Sequence, residues 1–206
     1  MAKQTLLYLL KKGLKGCYSI LELGCGNKSP LKNFNNNYKV GVDLYAPYIA
    51  ESKKAKIHDR YIKADVRKIR FKKNSFDAVV LLDVLEHLTK EEGYFLIKRM
   101  EKWAKKRIII FTPNGYAPQE EYDENKLQLH KSGWKADELR KLGFRVYGIN
   151  GLKFIRGERA RIRFHPKILW GIISDLTQIF TYKHPEFAFQ LFCIKNKNQE
   201  RGASKK

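Results

Sequence analysis

Short apolar runs and amphipathic stretches alternate along the chain. The apolar runs contain no proline and have the length of buried strands. The stretches between them repeat apolar residues at helical spacing, as Tyr94, Ile97, Met100 and Trp103 do. Strands that alternate with helices predict an α/β fold, in which a doubly wound, mainly parallel sheet carries helices on both faces.

The same pattern predicts the bounds of these elements. The expected strands cover residues 20–23, 38–44, 61–66, 78–82, 107–112, 144–149 and 187–194, and the expected helices cover 5–10, 47–56, 89–105 and 134–142, with one more that opens at Pro166. The run at 78–82 is apolar throughout, as in a central strand buried on both faces. Most of the first five strands end at a glycine or a carboxylate. In a parallel sheet those ends share one edge, where ligands bind.

The first predicted strand breaks at the Gly-Cys-Gly-Asn sequence of residues 24–27. Glycines at a strand end allow a sharp turn and let a ligand approach the main chain, and Ser29 with Pro30 predicts a helix start just beyond. A dinucleotide fingerprint requires glycine or alanine where Ser29 stands. A carboxylate at Glu22 disfavours a pyrophosphate but suits an ammonium or sulfonium group. These features favour S-adenosylmethionine as the ligand.

Two segments resemble the class I, Rossmann-like methyltransferases that use S-adenosylmethionine. The Glu-Leu-Gly-Cys-Gly sequence at 22–26 resembles their motif I, although Lys28 replaces its third glycine. The sequence Phe-Asp-Ala-Val-Val-Leu-Leu-Asp-Val-Leu-Glu-His-Leu at 76–88 resembles motif IV of the members that methylate small molecules. Residues 128–144 are similar to the corresponding region of small bacterial and archaeal members.

The resemblance implies the strand order, the cofactor and the residues that bind it. The sheet is expected to have seven strands in the order 3-2-1-4-5-7-6, with the last strand antiparallel. Asp43 is expected to bind the ribose hydroxyls, which also fits its offset from the glycine turn, while Asp65 pairs with the adenine amino group and Val66 packs on the base. The predicted cofactor residues are Glu22, Gly24, Cys25, Gly26, Asp43, Leu44, Asp65, Val66 and Asp83.

Methyl transfer from a sulfonium requires mainly position and the exclusion of water. A general base is needed only for an acceptor that is protonated at neutral pH, and His87 and His130 are the candidates by residue type. Each of them also fits a structural, hydrogen-bonded role. The sequence shows no metal-ligand spacing. Asp83-Val-Leu-Glu86 stands where enzymes that methylate base amino groups carry an Asn/Asp-Pro-Pro-aromatic tetrad, which argues against that reaction.

The formal net charge of +21 indicates an anionic partner, although a lysine-rich surface that serves only solubility is an alternative. Basic residues are densest between 153 and 167, and the helix that follows is rich in isoleucine, leucine and aromatic residues. RNA, a phosphorylated acceptor or an acidic membrane surface would fit this segment. A solvated loop followed by a helix packed on the sheet is the plainer interpretation.

We expect one methyltransferase domain over residues 1–195, with a lid or acceptor loop at 116–133, the basic segment and apolar helix at 153–182, and a disordered basic tail at 196–206. The three cysteines form no CxxC pair, and the N-terminal apolar run is too short for a membrane span or a signal peptide. These features predict a cytoplasmic protein and leave peripheral membrane binding open.

The sequence therefore predicts a methyltransferase that acts on a small-molecule acceptor of a phosphorylated, lipid-linked or saccharide-like kind. Two alternatives stay open at this point. One is an RNA methyltransferase that uses residues 153–167, and the other is a cofactor-binding partner subunit without catalysis. The oligomeric state is not predicted.

Overall fold

The computed structural model describes residues 2–34, 38–119, 126–157 and 160–197. The described residues form a sheet of seven strands, which confirms the predicted fold and strand order. The strands are β1 (Ser19–Leu23), β2 (Tyr38–Asp43), β3 (Arg60–Lys63), β4 (Phe76–Leu82), β5 (Ala104–Pro113), β6 (Arg145–Leu152) and β7 (Ala188–Asn196). Their order is β3-β2-β1-β4-β5-β7-β6, and β7 runs antiparallel to both β5 and β6.

Helices cover both faces of the sheet. They are α1 (Ala2–Gly13), α2 (Ala46–Lys54), α3 (Lys90–Trp103), α4 (Ala136–Lys141), α5 (Lys167–Leu176) and α6 (Gln178–Lys183). Leu96 and Leu139, from α3 and α4, join the core on one face, and Leu9 and Leu10 of α1 join the core on the other. Every residue of β4 is buried, as its apolar sequence predicts. Because β1 and β4 pair in parallel, their carboxyl ends lie side by side.

Most elements begin and end within a few residues of their predicted positions, with some differences. The turn after β1 leads into a short 3-10 helix, Pro30–Asn33, which Ser29 caps as predicted. Trp134 lies before α4 rather than within it, and its buried ring packs where Gly93 leaves room on α3. The helix predicted from Pro166 is divided into α5 and α6.

Some of the predicted segments lie partly outside the described residues. These parts are residues 120–125 of the lid or acceptor loop, 158–159 of the basic segment and 198–206 of the tail. Among the helices that the structure describes, none is both long enough and apolar enough to cross a membrane.

Candidate active site

The glycine turn after β1 is anchored by main-chain hydrogen bonds to β2. The amides of Gly24 and Cys25 both donate to the carbonyl oxygen of Val42, at 2.7 and 2.9 Å. Gly24 has a φ of +70°, and a Cβ at this position would lie 2.4 Å from Cγ2 of Val84. Both the backbone conformation and the close approach therefore require glycine. Gly26 also has a positive φ, +53°, but has open space around it.

Asp43, at the end of β2, holds the second half of the turn. Its Oδ2 accepts a hydrogen bond from the amide of Gly26 at 2.8 Å, and its Oδ1 accepts one from the amide of Tyr45 at 2.9 Å. Bonds from amides to an ionised carboxylate are stronger than those between neutral groups, so the turn is fixed by the protein itself. Each carboxylate oxygen can accept a further hydrogen bond.

Glu22 lies beneath the turn rather than at its surface. The residue is 1% exposed, and its carboxylate accepts hydrogen bonds from Oγ of Ser29 at 2.7 and 2.8 Å and lies 2.6 Å from Nε2 of His58. The sequence suggested that this charge faces the ligand, but its oxygens are engaged with the protein. Cys25 is buried beside it, and burial together with the charge of Glu22 raises the pKa of the thiol, which therefore stays protonated.

A cavity of about 390 Å³ opens over the turn. Residues that follow the carboxyl ends of β1, β2, β3 and β4 line it, as the parallel topology predicts. All of the cofactor residues predicted from the sequence are among them: Glu22, Gly24, Cys25, Gly26, Asp43, Leu44, Asp65, Val66 and Asp83. The cavity also takes in Lys28, Tyr48, Arg67 and Lys131, for which no cofactor role was predicted.

Arg67 fixes the side chain of Asp65 at the rim of this cavity. Its Nε and Nη2 donate to the carboxylate of Asp65 at distances of 2.7 to 3.0 Å, and its Nη1 donates to Glu92 at 3.0 Å. The hydrogen bonds from Arg67 hold the pKa of Asp65 below its usual value. Asp65 is therefore an ionised, oriented acceptor at neutral pH.

A second cavity of about 980 Å³ adjoins the first and shares Asp83, His87 and Gln128 with it. Its walls carry both aromatic and basic side chains. The aromatic residues are Tyr116, Phe154, Phe187 and Phe189, and the basic residues are Lys153, Arg156 and Arg163, with His130 also in the lining. Two cavities that meet at a strand end provide adjacent sites for a donor and an acceptor molecule.

Known proteins are similar to this chain in its fold and in the sequence of the segments that line the first cavity. Residues 21–111 match the sequence profile of a family described as a methyltransferase domain. The chain is 26% identical over 197 residues to an uncharacterised protein of Methanocaldococcus jannaschii, a match that covers 94% of this chain and 80% of that protein. A solved S-adenosylmethionine-dependent methyltransferase from Archaeoglobus fulgidus has a TM-score of 0.57 at 18% identity and 94% coverage of both chains.

Residues 21–111 are thus similar to methyltransferase domains, and the chain as a whole shares the fold of the Archaeoglobus enzyme. The matched region begins in β1 and ends in β5, so it contains the glycine turn and the strand ends that line the first cavity. The fold is also that of the magnesium protoporphyrin IX methyltransferase of Synechocystis, which was solved with bound S-adenosylmethionine. That comparison has a TM-score of 0.55 at 17% identity and covers 94% of this chain and 77% of that chain. The comparisons do not favour the interpretation as a non-catalytic subunit.

Two carboxyl groups of the chain lie close together where the cavities meet. Asp83, with a φ of +50°, accepts a hydrogen bond from Nε2 of Gln190 at 3.1 Å. Glu86 is 2% exposed and accepts one from Oγ1 of Thr112 at 3.0 Å. Asp83 is exposed where it opens onto both cavities, and partial loss of water around its carboxyl group raises its pKa above the usual value. Burial and the charge of Asp83 raise the pKa of Glu86 well above its usual value.

The two histidines predicted as candidate bases also meet here. The ring centroids of His87 and His130 lie 4.8 Å apart. Nδ1 of His87 is 3.2 Å from the carbonyl oxygen of Leu129, and Nδ1 of His130 lies against that of Ala117. Burial lowers the pKa of His87 to about 4, so this ring is neutral at physiological pH. Sequence spacing gives no sign of this convergence, because the histidines are far apart along the chain.

Proposed function

We propose that this methyltransferase transfers the methyl group of S-adenosylmethionine to an amphiphilic, lipid-linked small molecule at the surface of an acidic membrane. One observation carries the proposal: the aromatic wall of the second cavity continues into a face of exposed apolar side chains on α5 and α6.

The first cavity supports a cofactor that lies across the carboxyl ends of the first four strands. In this arrangement the amino-acid end of the cofactor lies at Gly24 and Gly26, where the absence of side chains lets it approach the main chain closely. Asp43 accepts hydrogen bonds from the ribose, and Asp65, oriented by its arginine partner, accepts one from the adenine amino group. The methyl group then points past Asp83 towards the second cavity. Glu22 and Cys25 act on the cofactor indirectly, by holding the turn.

The second cavity suits an acceptor with an apolar body and an anionic group. Two of its cations are already engaged, since Nε of Arg156 donates to the carbonyl oxygen of Asn150 at 2.6 Å and Nζ of Lys153 donates to that of Asn114. Arg163 is exposed at the cavity and lies on the basic segment. A guanidinium binds phosphate or carboxylate with paired hydrogen bonds, so Arg163 is the cation that we assign to the acceptor.

Helices α5 and α6 pack on β6 through small polar residues and leave most of their large apolar residues exposed. Ser174 and Thr181 are fully buried. A Cβ at Gly151 would lie 2.1 Å from the main-chain oxygen of Ser174, and a Cβ at Gly148 would lie 2.1 Å from that of Thr181. The apolar face, by which we mean the large exposed apolar residues of the two helices, consists of Ile168, Leu169, Ile172, Leu176, Ile179 and Phe180. Ile168 is 82% exposed and Ile179 is 80% exposed. A contiguous patch of this kind marks an interaction surface.

Aromatic contacts connect the apolar face with the second cavity. Phe164 lies 6.2 Å from Phe154 in the cavity wall and 4.8 Å from Trp170 of α5, measured between ring centroids. Phe180 of α6 lies 5.7 Å from Phe187 in the same wall. Exposed cations flank the face, namely Arg161, Arg163, Lys167 and Lys183. Apolar residues beside cations are typical of surfaces that rest on acidic membranes, where each cation contributes about 1 kcal/mol.

Binding to vesicles tests the membrane part of the proposal. The double variant Ile168→Ser/Ile179→Ser is expected to lose most of its binding to vesicles of phosphatidylglycerol and phosphatidylcholine, measured by flotation. Both side chains are largely exposed, so the fold tolerates the change. Phe95→Ser, at a 65% exposed position on α3, is the matched control and should bind as the parent does. Equal binding by the double variant and the parent would contradict the proposal.

Transfer of labelled methyl groups tests the acceptor. The purified protein is incubated with methyl-labelled S-adenosylmethionine and separate lipid, RNA and metabolite fractions of a cell extract. We expect the label in the lipid fraction, extractable into organic solvent. Label found only in RNA, with loss of transfer in Arg161→Ala/Arg163→Ala, would replace this proposal with the RNA methyltransferase that the basic segment also suggested.

A further inference from the structure

We propose that Glu86, His87 and His130 form a binding site for a divalent transition-metal ion at the junction of the two cavities. One ligand atom from each of these residues lies within 4.8 Å of the others. Imidazole nitrogen with a carboxylate oxygen is a donor set that zinc and related ions prefer. The sequence predicted no metal site, because the third ligand comes from a distant loop that only the fold brings to the strand end.

The ligand atoms lie close enough for one ion to bind after a modest movement. Two ligand atoms at about 2.1 Å from a tetrahedral zinc ion lie about 3.4 Å apart. The atoms here lie within 4.8 Å of one another, so binding requires side-chain rotations that bring them up to about 1.4 Å closer. Three protein ligands with an open position are the usual composition of a catalytic site, whereas structural zinc sites are closed by four protein ligands.

Hydrogen bonds outside the cluster already orient these ligands. Nδ1 of His87 faces the carbonyl oxygen of Leu129, and Nδ1 of His130 faces that of Ala117. A metal-ligating histidine commonly donates its other ring N–H to a carbonyl in this way. The carboxylate of Glu86 is held by Thr112, and the main-chain oxygen of Glu86 accepts from the amides of Lys131 and Ser132 at 2.8 and 3.0 Å. The loop that carries His130 is thereby tied to the helical turn that carries the other two ligands.

The location assigns the ion a role in the reaction, and this step rests on the proposed function. His87 lines both cavities, whereas Glu86 and His130 line the second, so the ion would bind an acceptor hydroxyl next to the donor methyl. Coordination lowers the pKa of an oxygen ligand, as zinc lowers that of water from about 15.7 to about 7. The hydroxyl proton leaves to solvent and the oxygen bonds to the methyl carbon. The carbon–sulfur bond breaks, and its electron pair stays on the sulfur of S-adenosylhomocysteine.

Calorimetric titration with Zn²⁺ tests the site without any acceptor. Protein freed of metal with a chelator is expected to bind one ion per chain with a micromolar or lower Kd. Variants His87→Gln and His130→Gln should each weaken binding at least tenfold, since even loss of a supporting partner costs 10- to 100-fold, by order of magnitude. His184→Gln removes an exposed histidine outside the cluster and should leave the affinity within twofold of the parent. Circular dichroism checks that each variant is folded.

Two results would overturn the site: absence of bound zinc in folded parent protein, or an affinity in the His87→Gln/His130→Gln double variant equal to that of the parent. Neither result depends on methyl transfer. Conversely, zinc binding that needs Glu86, His87 and His130 supports the site even if no lipid is labelled. If zinc binds there but chelation leaves methyl transfer to the lipid unchanged, the activating role of the ion is refuted.

Discussion

At the scale of single residues, two glycines of the same turn make different demands. Gly24→Ala adds a methyl group 2.4 Å from Val84 and also strains a positive φ, whereas Gly26→Ala only strains φ. We expect Gly24→Ala to lower the free energy of unfolding by about 2–4 kcal/mol, and Gly26→Ala by about 1 kcal/mol. Urea denaturation measures both. The double variant Gly24→Ala/Val84→Ala should recover part of the loss; if it recovers none, the clash is not the cause.

Asp43 is the residue whose carboxylate the turn depends on most directly. Asparagine retains one acceptor oxygen, so Asp43→Asn keeps the bond to either Gly26 or Tyr45 but not both. Asparagine also has one acceptor oxygen fewer for the ribose hydroxyls that Asp43 is proposed to bind. Loss of one charged hydrogen bond to them is worth about 1.5–3 kcal/mol, which corresponds to an affinity for S-adenosylmethionine weakened about 10- to 150-fold. Calorimetry with the cofactor checks this value. Glu51→Gln changes an exposed carboxylate bonded to Asn27 and should change the affinity less than twofold.

At the scale of elements, the seating of α5 and α6 on β6 depends on glycines of the strand. A Cβ at Gly148 would lie 2.1 Å from the main-chain oxygen of Thr181, which a side-chain rotation cannot relieve. We expect Gly148→Ala to cost about 1–3 kcal/mol, or roughly 2–12 °C in Tm, by differential scanning calorimetry. Gly171→Ala, on α5 with open space around it, should be neutral or stabilising. Equal Tm values for the two variants would mean that the helices do not pack as described.

The sequence predicts most of the strands well because they contain short apolar runs, and β4 with its fully buried residues is the clearest case. The position of the first cavity follows from the same pattern, since the carboxyl ends of parallel strands share one edge of the sheet. The orientation of α5 could not be predicted from the sequence. An apolar helix normally buries its apolar side, but here Ser174 is buried while Ile168 is exposed. The contact between His87 and His130 could not be predicted either, because it depends on the path of a loop rather than on any local pattern.

At the scale of the whole molecule, the charge of +21 and the apolar face predict two separable contributions to membrane binding. Screening shortens from about 30 Å at 0.01 M salt to about 8 Å at 0.15 M, so the electrostatic part weakens as salt rises, whereas burial of Ile168 and Ile179 does not. Vesicle binding by the parent should therefore fall with salt to a plateau above zero. The Ile168→Ser/Ile179→Ser variant should bind more weakly than the parent at every salt concentration and fall to zero as salt rises. A parent that also falls to zero would indicate a purely electrostatic partner, such as RNA, and would remove the reason to assign the apolar face to a lipid surface.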